Sequence, residues 1–246
     1  MLESNILFLI LFIGLGAMIQ TVTGFAMGLV IIGGVTLFGL ADIAFIAIII
    51  SLISGVNTLI ALRYAYKHIK WIFVAKVSVT MLPALVLGVL VLDYLSNDYY
   101  VGLQKLLGLV IVTGGILLML RPTPWNKISH PAWLMLTGTA GGFIGGMYSA
   151  GGAPLAYFMY RQPLEINVIR ATLLCFFALT TALRTVVVGI QGQLTTEILS
   201  VFVLAVPVVI IVTLTMTRLL HLVPDGLVRK LVFLLLVAMG IMLIAK

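Results

Sequence analysis

Six uninterrupted apolar runs, at roughly 43–62, 71–95, 101–120, 167–189, 194–220 and 227–245, dominate the sequence. Each is about 20 residues or more, the length at which an α-helix crosses a ~30 Å hydrocarbon layer. With 63% of its 246 residues apolar and 9% charged, the chain has too few polar side chains to cover a soluble globule. The bilayer is its solvent, and there the backbone must satisfy its own hydrogen bonds. Runs of this length predict an all-α integral membrane protein.

Two other regions, 6–39 and 131–162, are apolar but carry polar, glycine-rich centres: Gln20-Thr21-Val22-Thr23-Gly24 and Gly145-Gly146-Met147-Tyr148-Ser149-Ala150-Gly151-Gly152. Each reads as two half-helices with a break. Residues 6–20 and 25–39 span 15 positions each, about 22 Å of helix and short of a crossing. Re-entrant hairpins with tips meeting near the midplane fit best, because irregular backbone at that depth must be enclosed by protein or line an aqueous cavity.

The halves match at a shift of about 125 residues, give or take a residue or two: Gly16 falls on Gly142, Thr23 on Ser149, Pro83 on Pro207, Lys105 on Lys230 and Gly115 on Gly240. The order of segments, a broken helix pair and then three transmembrane helices, also repeats. We expect two tandem repeats, 1–125 and 126–246, forming one transport domain. Charge decides their relation. Of the 14 Lys and Arg, re-entrant breaks put Arg63, Lys67, Lys70, Lys76, Arg121, Lys127, Arg161, Arg170, Arg218, Arg229 and Lys230 on one side, leaving Lys105, Arg184 and Lys246 on the other. The positive-inside rule then predicts inverted repeats in the cell (inner) membrane with both termini outside. The N-terminus lacks the basic region of a signal peptide and is expected to be retained.

Composition also narrows the chemistry. The net charge of +7 orients the chain and does not imply nucleic-acid binding. The lone Cys175 and the scattered His68, His130 and His221 supply neither a disulfide framework nor a metal site, so no metal or cofactor is expected. A convergent nucleophile and base are missing too, which argues against an enzyme and against any catalytic residue. No acidic residue falls near a midplane, so a proton relay has no carrier.

What remains points to an anion. Thr23 and Ser149 are expected to cap the second half-helices, whose N-terminal N–H groups and positive dipole ends would converge on a ligand that the glycines admit closely. Gln20, Thr21 and Tyr148 would add donors, around Gly24, Phe25, Gly151 and Gly152. Asn57 lies in one span, and Thr180 and Arg184, one helical turn apart, lie in its counterpart, so Arg184 either neutralises the anion or snorkels to the outer boundary near Gly189. Arg170 and Lys76 sit close to the inner boundary, where snorkelling is the expected role.

The hydropathy profile, the repeated glycine-rich break and above all Gly145-Gly146-Met147-Tyr148-Ser149-Ala150-Gly151-Gly152-Ala153-Pro154 resemble the TauE/SafE family of sulfite and organosulfonate exporters, over essentially the whole chain. Gly24-Phe25-Ala26-Met27-Gly28 departs from the glycine run and downstream proline common in the family's first repeat. The resemblance implies export of sulfite or an organosulfonate such as sulfoacetate by alternating access, with a small anion and the lipid bilayer as partners and a homodimer as a permitted assembly. A cation-coupled importer of a sulfur oxyanion or organic acid is the alternative, and a membrane scaffold subunit a more distant one.

Overall fold

The computed structural model describes residues 2–120, 124–219 and 225–245; Arg121, His221 and Lys246 lie outside the described residues. Those residues form ten α-helices and no strand: α1 Leu2–Thr23, α2 Met27–Leu37, α3 Ile43–Ala65, α4 Trp71–Asp98, α5 Tyr100–Met119, α6 Pro131–Tyr148, α7 Gly152–Tyr160, α8 Ile166–Ile190, α9 Thr196–Leu219 and α10 Asp225–Ala245. Six are long and apolar enough to cross a membrane: α1, α3, α4, α5, α8 and α9. The six uninterrupted runs fall on α3, α4, α5, α8, α9 and α10, so the chain is a multi-pass membrane protein.

The broken regions differ from expectation in where they break. The first helix does not stop at residue 20; it runs 22 residues to Thr23, about 33 Å. Its polar residues are absorbed in place of breaking it. Thr21 Oγ1 donates to Ala17 O at 2.8 Å, and Gln20 Nε2 donates to Thr58 Oγ1 at 3.3 Å. The chain turns only where Gly24 and Ala26 adopt φ of 82° and 78°. Likewise Gly145 and Gly146 stay helical, and the second break comes at Ser149, with φ 53°. In both regions a long helix precedes a short one, α2 with 11 residues and α7 with 9.

Each pair folds back as an antiparallel hairpin. Gly16 faces Met27 and Ile31, and Gly34 faces Phe12, while Gly141 faces Leu155 and the Gly151 carbonyl. The second hairpin enters and leaves at one end of the molecule: Ser129 N donates to Gln162 Oε1 at 3.2 Å, and Trp125 N to Arg161 O at 2.7 Å. Ten of the eleven residues of α2 are buried, so this short helix is walled in by protein, as membrane physics requires of a segment too short to cross.

The directions of the remaining helices follow from their contacts. Arg184 reaches Ala47, Gly55 faces Thr181, and Ala65 shares a cavity with Arg170, so α3 and α8 run antiparallel. Gln104 meets Leu243, Gly108 meets Gly240 and Gly115 meets Leu236, so α5 and α10 do as well. By contrast α4 and α6 are parallel. Gly138, Gly142 and Gly146 form an i, i+4, i+8 stripe against Val77, Met81 and Leu85, where a Cβ on Gly142 or Gly146 would collide with a carbonyl oxygen. Small residues permitting such approach are the usual adhesive of membrane helices. At one end gather Arg63, Lys67, Lys70 and Arg161, with Lys70 N bonded to Thr172 Oγ1 at 3.1 Å. The opposite end carries the Gln193–Asp93 contact at 2.9 Å.

Candidate anion site

The two hairpin tips abut. A Cβ at Gly28 would strike the Ser149 carbonyl, and one at Gly152 would lie 3.1 Å from Phe25 Cβ and 2.7 Å from the Phe177 ring. The expected capping does not occur. The N-caps of α2 and α7 are Ala26 and Gly151, with no side-chain bond to either helix start. Thr23 ends α1 and bonds back to Ile19 O at 2.8 Å, and Ser149 is the C-cap of α6. The reason is the later break: by the time the chain turns, both hydroxyls belong to the first helix of their hairpin.

Ser149 instead belongs to a cluster built on Arg184, which is 2% exposed. Arg184 Nε donates to Gly146 O at 3.1 Å. Gly146 lies in the last turn of α6, where carbonyls lose their intrahelical partners, so the guanidinium caps that helix. Nη1 donates to Ser149 Oγ at 2.7 Å and Ala47 O at 3.0 Å, with Ser51 Oγ at 3.4 Å. The Ser149 and Ser51 hydroxyls pass their own protons to Ala47 O, at 2.7 and 2.9 Å. Among the described residues every acceptor of Arg184 is a carbonyl or hydroxyl, none a carboxylate, and none is bonded to Nη2.

Arg184 lines a cavity of about 20 Å³ with Ser51, Ser54, Ser149, Gly151, Phe177 and Thr180 among its walls, room for about one water. The Thr180 hydroxyl is turned to Phe177 O at 3.1 Å, so it presents lone pairs. Arg184 and Ser54, both on the lining, are the residues able to donate. A buried cation lacking a counter-charge is costly unless neutralised, and an anion at Nη2 would do so. Ser51 and Ser54 were not singled out from the sequence; their i, i+3 spacing, continued by Asn57 and Thr58, marks the polar face of α3.

A second cavity, of about 330 Å³, opens at the basic end beside the first break and is lined by Gln20, Thr21, Gly24, His68, Asn167 and Arg170 among others. The twelve residues named from the sequence therefore divide. Ser149, Gly151, Thr180 and Arg184 line the first cavity and Gln20, Thr21 and Gly24 the second. Thr23, Phe25, Asn57, Tyr148 and Gly152 line neither. Asn57, fully buried, ties α3 to α9 and α1 through Thr213 Oγ1 at 2.7 Å and Thr21 Oγ1 at 3.3 Å. Tyr148 donates its hydroxyl to Leu103 O at 3.0 Å. Phe25 and Gly152 form the contact between the tips. Among the described residues, no three His, Cys, Asp or Glu side chains are grouped to hold a metal.

Residues 8–243 match the family described as "Sulfite exporter TauE/SafE". The chain is 40% identical over 202 residues to the "Probable sulfite/organosulfonate exporter TauE" of Cupriavidus necator, a match covering 82% of this chain and 79% of that protein. No solved structure matches it.

Proposed function

This chain belongs to the sulfite exporter TauE/SafE family, and we propose that it exports sulfite or a small organosulfonate such as sulfoacetate across the inner membrane by alternating access. The observation that carries this reading is Arg184, a buried guanidinium bonded among the described residues to carbonyls and hydroxyls alone, which lines a cavity between a hairpin tip and the polar face of α3. A sulfur oxyanion supplies the negative charge and several oxygen acceptors for the remaining guanidinium donors.

Inverted repeats are the framework for the cycle. In support, helices in equivalent sequence positions run in opposite directions, α3 against α8 and α5 against α10. At a shift of 126 residues, the contact of Gln20 with Thr58 also overlies that of Gly146 with Arg184. The gathering of basic residues at one end makes that end cytoplasmic by the positive-inside rule. The wide cavity then faces the cell interior, and the packing of Phe25 and Phe177 about Gly152 stands between it and the Arg184 cavity. A dianion leaving an inside-negative cell gains about 4.6 kcal/mol per 100 mV, so export needs no coupled proton.

The test is efflux of labelled sulfite from proteoliposomes under an imposed potential. Flux that rises with inside-negative voltage is expected; flux indifferent to voltage, or dependent on a sodium gradient, would reject uncoupled export.

A further inference from the structure

We propose that the groove between α6 and α7 at the basic end binds one anionic phospholipid, with its phosphodiester on Arg161 and an acyl chain along a wall of Leu136, Ala140 and Pro154.

Register builds the groove. Trp133, Leu136 and Ala140 on α6 and Pro154, Tyr157 and Arg161 on α7 repeat one i, i+3, i+7 spacing, which keeps each set on a single helix face. The hairpin sets the two stripes side by side in opposite senses, and they line a cavity of about 420 Å³, within the range of small-molecule sites. Trp133 and Arg161 stand at the end where Ser129 N meets Gln162 Oε1 at 3.2 Å. Ala140 and Pro154, seven residues along their helices, lie about 10 Å deeper. The lining thus passes from aromatic and cationic at the mouth to aliphatic at the floor, the same order of polarity that a lipid shows from its head inward.

Arg161 sets the sign of the ligand. Snorkelling would carry its guanidinium out to water. It is instead folded over the rings of Trp125 and Tyr157, 5.3 Å from each centroid, and its Nε is buried without a hydrogen-bond partner. None of the described lining residues is acidic. Ring faces hold a cation in place without neutralising it, so the donors left on this guanidinium suit a phosphodiester. Basic pockets between membrane helices at the cytoplasmic surface are recurrent seats for anionic lipid heads.

Lipid fits this groove better than a second copy of the chain. Trp133 and Leu136 are 56% and 60% exposed, so the groove opens sideways from the bundle to the surrounding bilayer. A second copy inserted in the same orientation would present its own basic end, where only Glu165 and Asp225 of the seven acidic residues stand at helix starts. It would therefore offer Arg161 little counter-charge. Lipid also completes the enclosure of α7, which at nine residues is too short to cross and packs on α5, α6 and α8, leaving its remaining flank to the groove. This binding rests on the chain's place in a membrane and not on what it transports.

Tryptophan quenching tests the proposal. Trp71, which does not line the groove, is replaced by phenylalanine, leaving Trp125 and Trp133 as reporters. The protein is reconstituted into phosphatidylcholine vesicles carrying a low fraction of phosphatidylglycerol brominated on its acyl chains. Quenching should saturate while random lipid contact is still sparse, and unbrominated phosphatidylglycerol should reverse it. Arg161→Gln should raise the half-saturating fraction by about fivefold, the worth of one basic residue at an anionic surface, with melting temperature as the check on folding. Ala140→Phe fills the floor and leaves Arg161 and its rings in place, so it should weaken the same lipid even where Arg161→Gln does not fold. Equal quenching by brominated phosphatidylcholine, a half-saturating fraction that neither substitution moves, or reversal by glycerol phosphate in the buffer would each overturn the proposal. So would a cross-linked dimer in which the two tryptophans are shielded from brominated lipid.

Discussion

Replacing Arg184 with glutamine removes the charge on which the proposed anion site depends and keeps much of the side chain's volume. The loss can be sized. An oxyanion about 4 Å from the guanidinium gains about 4 kcal/mol at an effective dielectric constant of about 20, which corresponds to about a thousandfold in affinity. Structure is disturbed less. Ala47 O keeps the hydroxyl protons of Ser51 and Ser149, whereas Gly146 O loses the Nε donor at 3.1 Å, an orphaned buried carbonyl costing about 1–3 kcal/mol. Arg184→Lys separates these effects. It restores the charge, but three donors on one nitrogen cannot serve Gly146 O, Ala47 O, Ser149 and a ligand together. The order of sulfite affinity should be Arg, then Lys, then Gln, read as ligand-induced shift in melting temperature and as half-saturation of efflux from proteoliposomes. Glutamine binding sulfite within threefold of wild type would refute the assignment of Arg184.

The remaining predictions concern the scaffold and the limits of the site. Gly146→Ala should destabilise by about 1–3 kcal/mol or more, because its Cβ meets the Leu85 carbonyl. Gly102→Ala, with nothing within 4 Å, should be neutral or stabilising by up to about 1 kcal/mol; parallel thermal melts check both. Asn57→Leu should cost about 1–2 kcal/mol, from interhelical bonds of about 0.6–1.7 kcal/mol each, with sulfite affinity unchanged once melting is controlled for. Ser149→Ala should weaken sulfite about tenfold by releasing the 2.7 Å bond that holds Nη1. Thr23→Ala, whose hydroxyl ties the end of α1 to both backbone groups of Phe25 in the turn, should lower the melting temperature without moving that affinity.

The helices were legible because each apolar run is long and bounded by charge. Lys67 and Lys70 close the turn between α3 and α4, and Glu165 precedes α8. The breaks were legible in existence but not in place. Polarity was the signal used, yet Gln20 and Thr21 stay helical because partners on α1 and α3 receive their side chains. The turns follow positive φ at Gly24, Ala26 and Ser149, and nothing in the composition around alanine or serine announces that. Similarly Gly146, part of the glycine-rich centre read as a break, belongs with Gly138 and Gly142 to a packing seam against α4. Arg184 was visible as a charge inside a span, but its partners Ala47 and Ser51 come from α3 and Gly146 and Ser149 from the end of α6, which no local pattern joins.

One asymmetry ties the site to the fold. At the 126-residue shift the counterpart of Arg184 is Thr58, a neutral residue that accepts from Gln20. A second arginine there would bury two cations in one membrane protein core, each needing its own compensation. The cavity at the first hairpin is lined by Arg170, which comes from α8, as does Arg184. Thus α8 supplies the cation at both tips, and α3, running antiparallel beside it, supplies the hydroxyls of one cavity and the alanine wall of the other. On the proposed mechanism it follows that neither tip can move relative to α8 without changing the size of its own cavity. Because the tips touch each other through Gly28, Ser149, Phe25 and Gly152, a shift that widens the Arg184 cavity must displace the first hairpin as well. On that mechanism, the coupling between a closed side and an open one that alternating access demands runs through direct contact at the tips.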